Sequence, residues 1–200
     1  MQLLTLIAII LFAPIPLFFI PLQLAPRLWR RFGLWNYALS TIIWIITAGV
    51  VYALRDAILT LHISPLVPLY VRSDIKWFLL LRVVGGILLL VGIIVSERAM
   101  HTLTWRITFA LPQVKPDTTP STLIAHGIYK KVRHPRYLGF FYITLGIALL
   151  TGYFAAALLF LYTLIMFTVI ALLEERELKT RFGQSYINYM RTTSRFFSIF

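Results

Sequence analysis

The densest groupings of polar side chains in this 200-residue chain are two short stretches. The first is His126-Gly-Ile-Tyr-Lys-Lys-Val-Arg-His-Pro-Arg-Tyr-Leu-Gly139, and the second is Glu174-Glu-Arg-Glu177. In the first, Pro135 disfavours the α region at His134 and favours the first helical position for itself, so His134 is expected to cap a helix that starts there. Free N–H groups and the positive end of the helix dipole then stand beside Arg133 and His134, which suits an anionic group. Gly127 and Gly139 permit close backbone approach by a ligand or a neighbouring helix. The cations Lys130, Lys131, Arg133 and Arg136 equally suit an anchor on lipid headgroups. In the second stretch, Glu174 and Glu175 are about 100° apart on a helix and cannot both face one way. They fit either a solvated turn paired with Arg176, Lys179 and Arg181, or a working carboxylate at membrane depth. An anion pocket opposite a carboxylate would take a zwitterion carrying both a carboxylate and an amine. Tyr129, Tyr137, Tyr142, Tyr186 and Tyr189 can stack on a base, face a sulfonium by cation–π attraction, or form an interfacial aromatic belt.

The elements that must hold these clusters are membrane helices. Sixty per cent of the residues are hydrophobic and 13% are charged, against roughly 25% charged in a soluble domain. That excludes a soluble enzyme and a disordered chain. With no Cys, disulfides, thiolate nucleophiles, Fe–S clusters and Cys-type zinc sites are excluded, and no metal is expected. Leu3–Leu24 is expected as a first span kinked by Pro14, Pro16 and Pro21. Phe32–Leu54 is the second and Trp77–Val95, carrying Arg82, the third. Tyr137 to Leu173 is uncharged and far longer than one crossing of about 30 Å needs. A break near Thr151–Gly152 makes it a tight hairpin of Leu138–Leu150 and Tyr153–Leu173, which brings the two polar stretches together on one membrane face.

Five spans leave the chain ends on opposite sides. One side then receives Arg27, Arg30, Arg31, Arg98, Arg106, Lys115, Lys130, Lys131, Arg133, Arg136, Arg176, Lys179, Arg181, Arg191 and Arg195, and the other only Arg55, Arg72 and Lys76. The first side is cytoplasmic by the positive-inside rule, with the N-terminus outside and the C-terminus inside, in the cell's inner membrane. The net charge of +12 follows the loops, which points to lipid contact and away from nucleic acid. The expected fold is therefore an all-α integral membrane protein with about five transmembrane helices and a cytoplasmic C-terminal amphipathic helix. Residues 1–111 form the first three spans and 112–200 the region carrying both clusters. Pro112, Pro116 and Pro120 mark an extended connector. Arg82 either contacts an anionic headgroup or pairs with a neighbouring helix.

The run from His126 to Gly139 resembles the GPYRYVRHPxYxG motif of the isoprenylcysteine carboxyl methyltransferase and phospholipid methyltransferase superfamily. Glu174-Glu-Arg-Glu-Leu178, Phe182-Gly183, Tyr186, Tyr189 and Arg195-Phe196 are similar to its EExxLxxxFGxxYxxY…RF tail. Residues 122–200 carry the likeness. It departs from the pattern at Ile128, where the family has Pro, and after Arg195-Phe196, where no Pro follows. The resemblance implies a membrane-embedded methyltransferase using S-adenosylmethionine, with a hydrophobic or lipidated acceptor entering from the bilayer. It implies that His126, Gly127, Ile128 and Tyr129 line the cofactor, that Arg133 and His134 hold its carboxylate, and that Tyr137 and Gly139 form a wall. Glu174 or Glu175 would face its amino group or sulfonium, with Arg133 and Glu175 as the catalytic pair. A carboxylate acceptor is expected first. The other readings are a phospholipid amine N-methyltransferase, a non-catalytic scaffold keeping the fold, and, with least support, a transporter.

Overall fold

A computed structural model describes residues 2–24, 31–32, 35–60, 75–103 and 122–197. The connector around Pro112–Pro120, the boundary at 111 and 112, and Arg27, Arg30, Arg72, Arg106 and Lys115 lie outside the described residues. The helices are α1 (Gln2–Phe12), α2 (Pro14–Leu24), α3 (Trp35–Ala53), α4 (Arg55–Thr60), α5 (Ile75–Thr102), α6 (Pro135–Thr151), α7 (Phe154–Phe182) and α8 (Gln184–Thr192), with a 3-10 turn at Gly127–Lys130. Among the described residues there is no strand, only an isolated bridge between Val132 and Ser194. Gln2–Pro21, Trp35–Ala53, Leu79–Thr102 and Phe154–Phe182 are long and apolar enough to cross a bilayer. The fifth apolar helix, α6, has 17 residues, about 25 Å at 1.5 Å per residue. The chain is an all-α multi-pass membrane protein. Its outward Leu, Ile and Val side chains on α3 and α5 are the faces that meet lipid.

The first span breaks at Ala13, as Pro14 and Pro16 require, because each removes a backbone donor and crowds the preceding turn. The Tyr162 hydroxyl of α7 donates to the Ala13 carbonyl at 2.8 Å, so the break is satisfied within the fold. Gly152 closes the hairpin between α6 and α7, with φ 68° at the end of α6. A hydroxyl pair, Thr144 to Thr163 at 2.9 Å, ties the two helices at a fully buried point.

Two helices run beyond their expected ends. Helix α5 continues past Val95 to Thr102, since charges at Glu97 and Arg98 do not end a helix and no Gly or Pro intervenes. Helix α7 continues past Leu173 to Phe182 and stops at Gly183, with φ 54°. Glu174 and Glu175 therefore sit inside a helix, not at its terminus. The reason is local: Glu, Arg, Leu and Lys are good helix formers, and the first breaker is Gly183.

The closest helix pair is α5 against α6, running antiparallel across the expected boundary between the N-terminal spans and the rest. Gly85 meets Gly146, and Gly92 meets Gly139. A Cβ on Gly92 would come within 2.7 Å of Gly139 O and Ile143 N, and one on Gly146 within 2.7 Å of Gly85 O. Glycines seven apart on both helices let the backbones touch, which is how helices gain packing in lipid.

Candidate functional site

The first polar stretch folds as two successive turns fastened to the C-terminal segment. His126 is extended, Gly127 takes φ 60° to enter the 3-10 turn, and Val132 pairs with Ser194. Arg133 N donates to Ser194 O at 2.8 Å and His134 N to Arg195 O at 3.1 Å. His134 is the N-cap of α6 and Pro135 opens it, as expected. The imidazole does not cap the helix; it lies between the two glutamates of α7.

Glu174 and Glu175 point to different sides, and His134 bridges them. Its Nδ1 is 3.4 Å from Glu174 Oε2 and its Nε2 3.3 Å from Glu175 Oε1. Tyr137 donates its hydroxyl to Glu174 Oε1 at 2.8 Å. Glu175, 3% exposed, accepts Arg133 Nε at 3.1 Å and Arg195 Nε and Nη2 at 2.9 and 2.8 Å, with Arg133 Nη2 at 3.0 Å. Arg133 Nη1 also donates to the carbonyls of Met190, at 3.0 Å, and Thr193. Every nitrogen of that guanidinium is thus turned to protein. The open anion site expected beside it is filled from within by Glu175 and the C-terminal carbonyls.

Burial alone would lower the His134 pKa, but the two carboxylates outweigh it and raise it above the ordinary 6.5. A pKa higher in the folded than in the unfolded chain makes protonation stabilising. That contribution is complete below pH 6.5 and disappears as pH rises through the folded value. The thermal midpoint of the wild type in detergent should therefore fall on the alkaline side of pH 6.5, and His134→Gln should flatten that fall. Equal slopes in both proteins would remove the imidazole from the network.

A cleft of about 140 Å³ opens above this network. Helix α7 supplies one wall through Glu174, Glu177, Leu178, Arg181 and Phe182, positions spaced to fall on one face. Arg133, His134, Arg136 and Tyr137 form the opposite wall, and Tyr129, Tyr186 and Tyr189 a third. Leu103 at the end of α5 and Thr122, Leu123 and Ile124 complete it. Tyr189 donates to Tyr129 O at 2.5 Å. Tyr186 is 1% exposed, and its hydroxyl has no hydrogen-bond partner among the described residues. Burial raises the pKa values of Tyr129 and Tyr186, and that of Tyr189 to about 12, so all three remain neutral donors.

Of the residues singled out in the sequence, Tyr129, Arg133, His134, Tyr137 and Glu174 line the cleft. His126, Gly127 and Ile128 form the turn beside it, with Gly127 close to Thr102. Glu175 lies beneath, among its arginines. Gly139 is on the back of α6 against Gly92 and Ser96, where it serves helix packing. Tyr142 packs in the apolar core, and Arg82 on α5 is not part of the cleft wall. Sequence reasoning missed Arg136, Glu177 and Arg181 as cleft residues. The spacing of Glu174, Glu177, Leu178 and Arg181 along one helical face carried that signal for α7.

The fold and this site define a multi-pass membrane protein with a charged, tyrosine-walled cleft at one end of a helical hairpin. The family model described as phospholipid methyltransferase matches residues 80–185, just over half of the chain, and the chain belongs to that family. It is 43% identical over 70 residues to a protein-S-isoprenylcysteine O-methyltransferase of Schizosaccharomyces pombe, covering 34% of this chain and 30% of that one. It is 30% identical over 128 residues to the protein of the same name from Xenopus laevis, covering 60% of this chain and 42% of that one. The chain thus spans less than half the length of the curated relatives it matches. No solved structure matches it.

Proposed function

We propose that this chain is a membrane methyltransferase that moves a methyl group from S-adenosylmethionine to the carboxylate of a lipid-like acceptor. The observation that carries this reading is the cleft: both signs of charge and three neutral tyrosines, among them Tyr186 whose hydroxyl has no partner among the described residues, converge at the polar end of an apolar hairpin. These residues fit the cofactor's chemistry. Glu174 and Glu177 offer carboxylates for its amino group, Arg181 a cation for its carboxylate, and the tyrosines flat faces and donors for its base and sulfonium. When bound, the cofactor supplies an electrophilic methyl group on sulfur.

The protein's own residues align and shield. Arg133 and Glu175, the expected catalytic pair, lock the C-terminal segment across the start of α6 and so fix the wall that holds His134 and Tyr137. We assign them positioning. A carboxylate acceptor needs no proton removed, so no general base is required. Rate comes from alignment and from excluding water. By the charge asymmetry of the sequence, the cleft faces the cytoplasmic side of an inner membrane, and the acceptor enters laterally from the bilayer.

Calorimetric titration of the purified chain with S-adenosylmethionine tests this. Glu174→Gln should weaken binding by about tenfold or more, the loss of one charge-assisted bond. A lipid-extract assay with methyl-labelled cofactor should yield a base-labile ester. A base-stable N-methyl product would shift the reading to a phospholipid amine, and no cofactor binding by folded protein would shift it to a scaffold.

A further inference from the structure

Beyond α8 the chain does not leave the protein but turns down along the start of α6. The bridge between Val132 and Ser194 is parallel, and the amides of Arg133 and His134 donate to Ser194 O and Arg195 O in the same order. The two paired segments therefore head the same way. Residues 132–134 head into the bilayer, because α6 starts at Pro135, so the strap that follows α8 heads there too. Phe196 shows how far it reaches. Its ring meets that of Phe141 edge to face at 5.2 Å and lies 6.0 Å from that of His134. Phe141 is six residues into α6, about 9 Å along the helix axis at 1.5 Å per residue.

The length of α6 turns that direction into a depth. Its 17 residues make about 25 Å, against about 30 Å of hydrocarbon to cross. As one leg of the hairpin it has no turn left over for water, so its start lies at the boundary between headgroups and acyl chains. A segment packed beside its first turns has passed the same boundary. Exposure divides the strap accordingly. Phe196 packs against the apolar core, while the next residue, Phe197, is 58% exposed. An aromatic ring left open at this depth meets lipid, the place that interfacial aromatics occupy. Just before α6, Lys130 and Lys131 are both exposed, which suits the headgroup layer above.

We infer that Phe197 is a membrane-insertion site: its ring enters the phospholipid leaflet at the cleft end of the hairpin and seats the C-terminal strap there. The bilayer then holds Ser194 and Arg195 against the start of α6 together with the carboxylate of Glu175, which Arg195 grips from the same strap. A strap seated by lipid closes over His134 when the protein is in a membrane and is looser outside one. The inference asks nothing of the methyl-transfer reading, since it concerns what fastens the wall and not what the cleft binds.

The chain has no Cys, so Phe197→Cys in the full chain supplies a unique thiol for a nitroxide label, whose apolar ring stands in for the phenyl group. In phosphatidylcholine nanodiscs, power saturation compares its access to oxygen, which concentrates in hydrocarbon, and to a water-soluble nickel chelate. The label at 197 should favour oxygen, and one at Ser185→Cys, exposed on α8, should favour nickel. Hydrogen–deuterium exchange at the Arg133 and His134 amides reads the strap itself. Phe197→Ser should speed it by about tenfold or more, and Phe197→Leu should leave it within about twofold. Nickel access at 197 overturns the inference, as does exchange unchanged in Phe197→Ser. A label shielded from both reagents overturns it too, because the ring would then lie against protein, such as a second copy of the chain. Should Phe197→Ser fail to fold, the label and the Leu variant still decide. None of these readouts involves S-adenosylmethionine, so failure here and failure of methyl transfer are told apart.

Discussion

Glu175→Gln is expected to unfold the site. The substitution removes the one negative charge on which Arg133 and Arg195 converge and leaves the buried Arg133 guanidinium facing a neutral amide, with the half-buried Arg195 beside it. Breaking a buried pair by deleting one partner costs roughly 3–5 kcal/mol, because the remaining charge stays desolvated and unmatched. Thermal unfolding in detergent should show this as a large fall in midpoint, with loss of cofactor binding, since the same charge fastens residues 193–196 over the start of α6. Glu97→Gln is the control. Its ion pair with His101 at 3.4 Å is exposed on both sides and should contribute nothing measurable. A Glu175→Gln protein as stable as the Glu97 variant would mean that the network is not held together by this carboxylate.

Gly139→Leu is expected to separate α5 from α6. Even a Cβ at this position would stand 2.8 Å from Gly92 O and 2.9 Å from Ser96 N. These are backbone atoms on the facing helix, so relief requires moving the helix. Overpacking costs typically about 1–3 kcal/mol, and a branched side chain against backbone belongs at the upper end or beyond. Because α6 begins at the cleft, the shift should also weaken cofactor binding without touching any cleft residue. Gly49→Ala on α3 is the counterpart, with nothing within 4 Å of the added methyl. It should be neutral, or stabilising by up to about 1 kcal/mol through helix propensity. Unfolding curves of the two variants side by side decide the matter, and similar curves would remove the close glycine crossing as a source of stability.

Much of this was legible in the sequence because the bilayer imposes few solutions. Apolar length located the spans, the three prolines located the kink at Ala13, and Gly152 located the hairpin. From the hairpin alone it followed that His134 and Glu174 would meet. The rest depended on what faces what. Nothing local says that Arg133 turns inward to Glu175 and the carbonyls of Met190 and Thr193, because those partners come from distant segments. The continuation of α7 was hidden by treating the first charge as the helix end, when Gly183 was the nearest breaker. Gly139 looked like part of a ligand wall because it closes the motif, yet its true counterpart was visible in the spacing: Gly85 and Gly92 repeat the interval of Gly139 and Gly146. Arg136 was read only as an anchor because its neighbour Phe19 lies in the first span.

The bridge between Val132 and Ser194 also sets an order of events during synthesis. The hairpin can insert and pack as soon as α7 has left the ribosome, but Arg133 and His134 then have no acceptors for their amides, and Glu175 lacks Arg195. The site is completed only when Ser194 and Arg195 emerge, some dozens of residues after the wall they fasten. Until that moment the nascent protein is a membrane hairpin in which Arg133 and Glu175 can pair but the amides of Arg133 and His134 lack their acceptors, which makes quality control sensitive to a stall between α7 and Ser194.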